Sequence, residues 1–72
     1  MTARLFHITG TWRQDNSLTA RGMLAIARDA DAALGVYVRD TGAALPGYSM
    51  TSAPAVTDVS LTARQFVSEN PA

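Results

Sequence analysis

The sequence predicts an α+β domain in which a small antiparallel sheet, with the element order β-β-α-β-β, carries one main helix on one face. Two periodicities indicate this class: apolar residues recur at every second position over residues 4–27, and at helical spacing after Asp29. A chain of 72 residues is long enough for one domain, so we assign residues 1–72 to a single domain and expect 68–72 to fray.

The first strand is predicted over residues 4–12, because Phe6, Ile8 and Trp12 fall on one face of an extended chain. The opposite face consists of Leu5, His7, Thr9, Thr11 and Arg13. Residues 14–17 are all polar and have the length of a hairpin turn. We therefore expect a second, antiparallel strand directly after them.

The second strand is predicted over residues 18–27, with Leu24 and Ile26 as its core pair. Gly22 indicates either a bulge or a close approach of another backbone. The residues between these positions, which include Arg21 and Met23, are expected on the opposite face.

The helix is predicted over residues 29–41. Asp29 is a good N-cap, and the carboxylate of Asp31 in the first turn favours the helix dipole. Gly42 suits the position that ends a helix, and Leu-Pro-Gly at 45–47 predicts a turn. The expected buried face consists of Ala30, Ala33, Leu34, Tyr37, Val38 and Thr41.

A third strand is predicted over residues 48–53, and Pro54 after it indicates an edge or a bulge. Residues 56–67 favour a fourth strand, with a helix capped by Asp58 or Ser60 as the alternative. The core predicted from all these elements consists of Phe6, Ile8, Leu24, Ile26, Leu34, Tyr37 and Val38.

Composition narrows the classes of function. The charges of six arginines and six acidic residues cancel to a net charge of zero. The chain therefore lacks the surplus of cationic residues that is typical of proteins that bind nucleic acid nonspecifically. With no cysteine and with His7 as the only histidine, we expect no disulfide, no zinc site and no cofactor. No apolar run approaches the roughly 20 residues of a membrane helix, so we expect a cytoplasmic protein.

No constellation of catalytic residues is apparent, and we expect a protein that is not an enzyme. His7 lies in a strand among threonines, where a lone histidine is more often a surface residue than a general base. Asp29 and Asp31 are explained by helix capping and do not have the spacing of a metal-binding loop.

Two features are candidates for binding a partner. The first is the open sheet face, predicted to combine His7, Thr9, Thr11, Arg13, Thr19, Arg21 and Met23. Such residues suit contacts to phosphate, RNA or an acidic protein patch, although a solvated sheet face needs the same residue types. The second is Trp12, which ends a strand beside Arg13 and belongs to a residue type enriched at interface hot spots.

The element order, opening with Arg-Leu-Phe-His-Ile-Thr-Gly-Thr-Trp at 4–12, resembles the small β-β-α-β proteins of phages and other mobile elements, among them small anti-CRISPR inhibitors. The resemblance covers residues 4–53 and concerns pattern, without a diagnostic motif. It implies a non-enzymatic protein that occupies a surface of a larger complex. The neutral charge of this chain then points to surface blocking rather than to mimicry of nucleic acid.

These observations favour a protein-binding module that docks on a larger protein or forms a homodimer, because a core this small is marginal alone. The alternative is a nucleic-acid-binding module that uses Arg13 and Arg21, together with Arg4 and Arg64, on the sheet.

Overall fold

The computed structural model describes residues 3–60 and confirms the predicted fold class. The elements are β1 (Arg4–Gln14), β2 (Ser17–Ala27), α1 (Ala30–Ala44), β3 (Ser49–Met50) and β4 (Ala55–Asp58). All strand pairs are antiparallel: β1 is central, with β2 on one side and both β3 and β4 on the other. The helix packs on one face of this sheet, which we call the inner face; the other is the outer face.

The β1–β2 hairpin is the longest-paired part of the sheet. Gln14 lies opposite Ser17, so the turn consists of Asp15 and Asn16 alone. Asp15 adopts a φ of 53°, a left-handed conformation that aspartate tolerates better than most residues. All 11 residues of each strand are paired without interruption, so Gly22 does not mark a bulge.

This register decides which residues of β2 are buried. Residues directly opposite each other in an antiparallel pair project to the same face, so Phe6 places Ala25 on the inner face. Leu24 and Ile26 consequently lie on the outer face, where they are 60% and 74% exposed. Their predicted role as the core pair of the second strand is therefore wrong.

The core lies between the inner face and α1. Its buried residues are Phe6, Ile8, Trp12, Ala25, Ala33, Tyr37 and Leu45. Six partly buried apolar residues pack around them: Met23, Ala27, Val36, Tyr48, Met50 and Val56. The second strand thus contributes small or flexible side chains, and the aromatic residues of β1 and α1 fill the space.

The start of α1 agrees with the prediction and its end does not. The Asp29 carboxylate accepts a hydrogen bond from the Ala32 N–H at 2.8 Å, as an N-cap does. The helix continues through Gly42 to Ala44, three residues beyond the predicted end at residue 41. The carbonyls of residues 41 and 42 both accept the Leu45 N–H, and Leu45 is buried in the core, so tertiary packing extends the last turn.

The buried face of α1 is also rotated from the predicted one. Ala33 and Tyr37 are buried as expected, but Val38 is 38% exposed and Leu34 is only partly buried. Val36 packs against the core in their place.

The strands after α1 are shorter than predicted. β3 has only two residues, Ser49–Met50, and Pro54 precedes β4 rather than interrupting a strand. β4 ends at Asp58, whose carboxylate accepts the N–H of Ser60 at 3.0 Å, and Ser60 already has helical conformation. The predicted strand therefore ends before Ser60; residues 61–67 lie outside the described part of the chain.

A buried hydrogen-bonded pair of aromatic rings joins α1 to β1. The Trp12 indole N–H donates to the Tyr37 hydroxyl at 2.9 Å, and that hydroxyl donates to the carbonyl of Arg21 at 3.1 Å. The ring centroids lie 6.1 Å apart at an angle of 50°. The hydroxyl of Tyr37 therefore joins α1 to both β1 and β2 through hydrogen bonds.

Gly10 is expected to be intolerant of a side chain because of this pair. A Cβ at position 10 would lie 2.7 Å from the Tyr37 hydroxyl oxygen, and Tyr37 is fully buried and held by two hydrogen bonds through that hydroxyl. We expect Gly10→Ala to lower the free energy of unfolding by roughly 1–3 kcal/mol, as overpacking does. Thermal unfolding measures this loss.

Gly35→Ala is the matched control, since a Cβ there meets nothing within 4 Å. Alanine is favoured over glycine inside a helix by about 0.5–1 kcal/mol, so this change should raise the unfolding temperature. If both substitutions moved the unfolding temperature in the same direction, the close approach of Gly10 to Tyr37 would be contradicted.

Candidate functional site

The outer face is the largest surface of the sheet left uncovered by described residues. Its centre is formed by alternate residues of β1 and by the residues opposite them on β2. On β1 these are Leu5, His7, Thr9, Thr11 and Arg13, and on β2 they are Leu18, Ala20, Gly22, Leu24 and Ile26. Ala55 and Thr57 of β4 extend the same face beyond His7 and Thr9. All of these except the half-buried Leu5 are exposed.

The outer face carries three large aliphatic side chains of β2. Leu18, Leu24 and Ile26 are 65%, 60% and 74% exposed, respectively. Leu24 and Ile26 lie opposite His7 and Leu5 at the open end of the hairpin, whereas Leu18 lies opposite Arg13 beside the turn. Single exposed aliphatic residues are ordinary, whereas several on one strand form a patch that typically serves as an interface.

The other end of the outer face, beside the turn, combines Leu18 with polar residues. Arg13 lies opposite Leu18 on one side and opposite Ser49 on the other. Its Nε–H donates to the carbonyl of Asp15 at 3.0 Å, which positions the guanidinium over the hairpin turn. A depression of about 500 Å³ opens there, lined by Arg13, Gln14, Asp15, Gly47, Ser49, Met50 and Thr51. A guanidinium beside two hydroxyl side chains can bind a carboxylate group.

The structure divides the predicted binding residues between both sides of the sheet. His7, Thr9, Thr11 and Arg13 share the outer face, as predicted. Thr19, Arg21 and Met23 lie opposite Trp12, Gly10 and Ile8 and therefore belong to the inner face, so their predicted place beside His7 is wrong. The error follows from the same misplaced register that put Leu24 in the core.

Trp12 is not available to a partner on the outer face. Its side chain is only 4% exposed, and its indole N–H is already used by Tyr37. The candidate interface residue Trp12 is therefore buried in the core, on the face that it shares with Phe6 and Ile8.

The arginines do not form one cationic surface. Arg4, Arg28 and Arg39 each lie within 3.5 Å of an aspartate carboxylate, namely Asp58, Asp29 and Asp40, respectively. Arg13 and Arg21 have no such ion pair in the described chain, but they occupy opposite faces of the sheet. Arg64 lies outside the described residues. The geometry thus separates the two arginines on which the nucleic-acid alternative mainly depends.

The described residues also bear on metal binding and on membrane spanning. Within residues 3–60, no group of three or more histidine, cysteine, aspartate or glutamate residues is close enough to hold a metal ion. No helix in the same range is long and apolar enough to cross a membrane. Comparisons with protein families, with characterised proteins and with solved structures found no match, so no residue acquires a role by similarity.

Proposed function

We propose that this protein is a protein-binding module whose outer sheet face contacts a larger protein. The observation that supports this most directly is the exposure of Leu18, Leu24 and Ile26 on the face opposite the core. Burial of one such side chain contributes about 1.5–3 kcal/mol. A partner that covers them gains this apolar burial, which offsets part of the entropic cost of association.

The charge of the outer face specifies the chemistry of the partner. None of its paired positions carries a carboxylate, Arg13 is the one arginine among them, and the adjoining turn contributes the carboxylate of Asp15. We therefore propose a partner with an apolar patch that meets Leu24 and Ile26 and a carboxylate at its rim that meets Arg13. The small inhibitor proteins that belong to phages and other mobile elements, which this chain resembles in pattern, act in the same general way. They occupy a surface of a larger complex.

Replacement of the two apolar residues at the end of β2 should abolish partner binding without unfolding the protein. Leu24→Thr together with Ile26→Thr removes the apolar surface and keeps side chains that favour strands. We expect each change to weaken binding about tenfold or more, since about 1.4 kcal/mol corresponds to a factor of ten. The measurement is quantitative affinity capture from a nuclease-treated bacterial lysate, followed by titration of the captured protein.

Val38→Thr is the matched control, because Val38 is an exposed valine on the helix side of the domain. A partner that is retained by wild type and by Val38→Thr, and lost with the double variant, supports the proposal. Equal capture by the double variant, or capture that disappears after nuclease treatment, would contradict it.

A further inference from the structure

The free edge of β2 is the longest unpaired backbone surface in the described chain. β2 has 11 residues and pairs only with β1, so its other edge has no partner among residues 3–60. We propose that a second copy of this chain pairs with this edge in an antiparallel, two-fold arrangement and joins the two sheets into one.

β2 lacks most of the features that normally protect an edge strand, and its one charged residue is Arg21 on the inner face. Such strands are usually short, or interrupted by proline, lysine or a bulge. β2 contains neither proline nor lysine and pairs with β1 without a bulge. The opposite edge of the sheet is different, because β3 and β4 have two and four residues and are separated by Pro54.

The backbone groups at this edge belong to the residues of the outer face. Gln14 and Ser17 flank a two-residue turn, which makes them a hydrogen-bonded pair, and hydrogen-bonded pairs then recur at every second position. On β1, the carbonyl of Leu5 accepts a hydrogen bond from the Val59 N–H. The backbone N–H and C=O groups of the odd-numbered β1 residues therefore point away from β2. The N–H and C=O groups that point away from β1 are therefore those of Leu18, Ala20, Gly22, Leu24 and Ile26.

The edge is complementary to a second copy of itself. In the register that overlaps all 11 residues, Gly22 lies opposite Gly22 of the second copy, on the two-fold axis. Leu18 then lies opposite Ile26, and Ala20 lies opposite Leu24. Every cross-strand pair on the outer face is apolar, and each outward N–H faces an outward C=O. This self-complementarity favours a second copy over an unrelated peptide.

The length of the edge predicts a weak dimer. Eleven residues span about 36 Å at 3.3 Å per residue, and a single strand edge of that length buries no more than about 1,000 Å². Interfaces at this limit are transient, so we expect a dissociation constant on the order of 10–100 µM.

Cysteine cross-linking tests the register of the two β2 strands. Because the sequence contains no native cysteine, the introduced cysteine is the only residue that can form a disulfide. A Cβ at Gly22 would be at least 3.4 Å from its neighbours, so Gly22→Cys fits the fold. Across the axis the two Cα atoms would be about 5.5 Å apart, within the range for a disulfide. Ala20→Cys is the control, because position 20 lies four residues, or about 13 Å, along the strand from its own counterpart. We expect oxidation to cross-link Gly22→Cys several-fold more than Ala20→Cys.

Sedimentation equilibrium of the full chain from about 5 to 500 µM tests association without a cross-link, because that range brackets the expected constant. Ala20→Pro removes one outward N–H, whereas Ala20→Ser keeps it, and circular dichroism verifies that both fold. We expect Ala20→Pro to shift the protein to monomer and Ala20→Ser to associate like wild type.

Equal cross-linking at positions 20 and 22, or a monomer at every concentration, would overturn this proposal. The edge would then be free or covered by another segment of the same chain. The dimer does not rest on the proposed function, since it depends on the backbone groups at the edge of β2, whereas partner binding depends on the side chains of Leu24 and Ile26. Failure of the dimer and failure of partner binding are therefore distinguishable.

Discussion

Tyr37→Ala is expected to lower the free energy of unfolding more than any other single truncation in the core, by about 3–5 kcal/mol. Tyr37 is fully buried between α1 and the inner face, so its removal leaves a large cavity in a small core. Truncation of a buried aromatic residue lowers the free energy of unfolding by about 3–5 kcal/mol. At about 0.05–0.15 kcal/mol per residue, that is a large part of the stability of a chain of 72 residues.

Tyr37→Phe separates the hydrogen bonds of this residue from its packing. Phenylalanine fills the same space but leaves the Trp12 indole N–H and the Arg21 carbonyl without this partner. We expect a loss of about 1–3 kcal/mol, the penalty for an unsatisfied buried donor. Urea unfolding followed by the fluorescence of Trp12, the only tryptophan, measures both variants. Urea midpoints close to wild type for Tyr37→Ala would show that α1 does not pack here.

The second large effect is expected from Ile8→Ala, compared with the same change at Ile26. Ile8 is fully buried on the inner face, and Ile26 is 74% exposed on the outer face. We expect Ile8→Ala to lower the free energy of unfolding by about 2–5 kcal/mol. Ile26→Ala should lower it by less than about 1 kcal/mol, the scale of strand propensity at an exposed site.

This comparison tests the hairpin register with one chemical change at two sites. A slip of one residue would move Ile26 to the inner face, because successive residues of a strand project to opposite faces. Equal losses of unfolding free energy for Ile8→Ala and Ile26→Ala would therefore contradict the register in which Phe6 lies opposite Ala25.

Several parts of the fold could be predicted from the sequence because they depend on local chemistry. The helix begins after Asp29 because a carboxylate can accept the first free N–H groups wherever the chain turns into a helix. The alternation of Phe6 and Ile8 with polar residues identifies the buried face of β1 without knowledge of its partner. The position of the hairpin turn follows from the polar residues at 14–17, although pairing of Gln14 with Ser17 shortens the turn to Asp15 and Asn16.

The faces of β2 could not be predicted in this way. Both sets of alternate residues on β2 contain apolar side chains: Leu24 and Ile26 in one set, Met23 and Ala25 in the other. Hydrophobicity alone favours the larger pair for the core. The register set by the turn places Ala25 opposite Phe6, and the ring of Tyr37 occupies the inner space instead of Leu24.

The candidate site depends on the same decision. Sequence alone placed His7, Thr9, Thr11 and Arg13 together on one exposed face, because they alternate with buried residues of a single strand. Which residues of the second strand join them is a long-range question. Only pairing between strands brings Leu24 and Ile26 beside His7, and moves Arg21 and Met23 to the other side. Periodicity determined each strand by itself, whereas tertiary structure determined how the two strands combine into one surface.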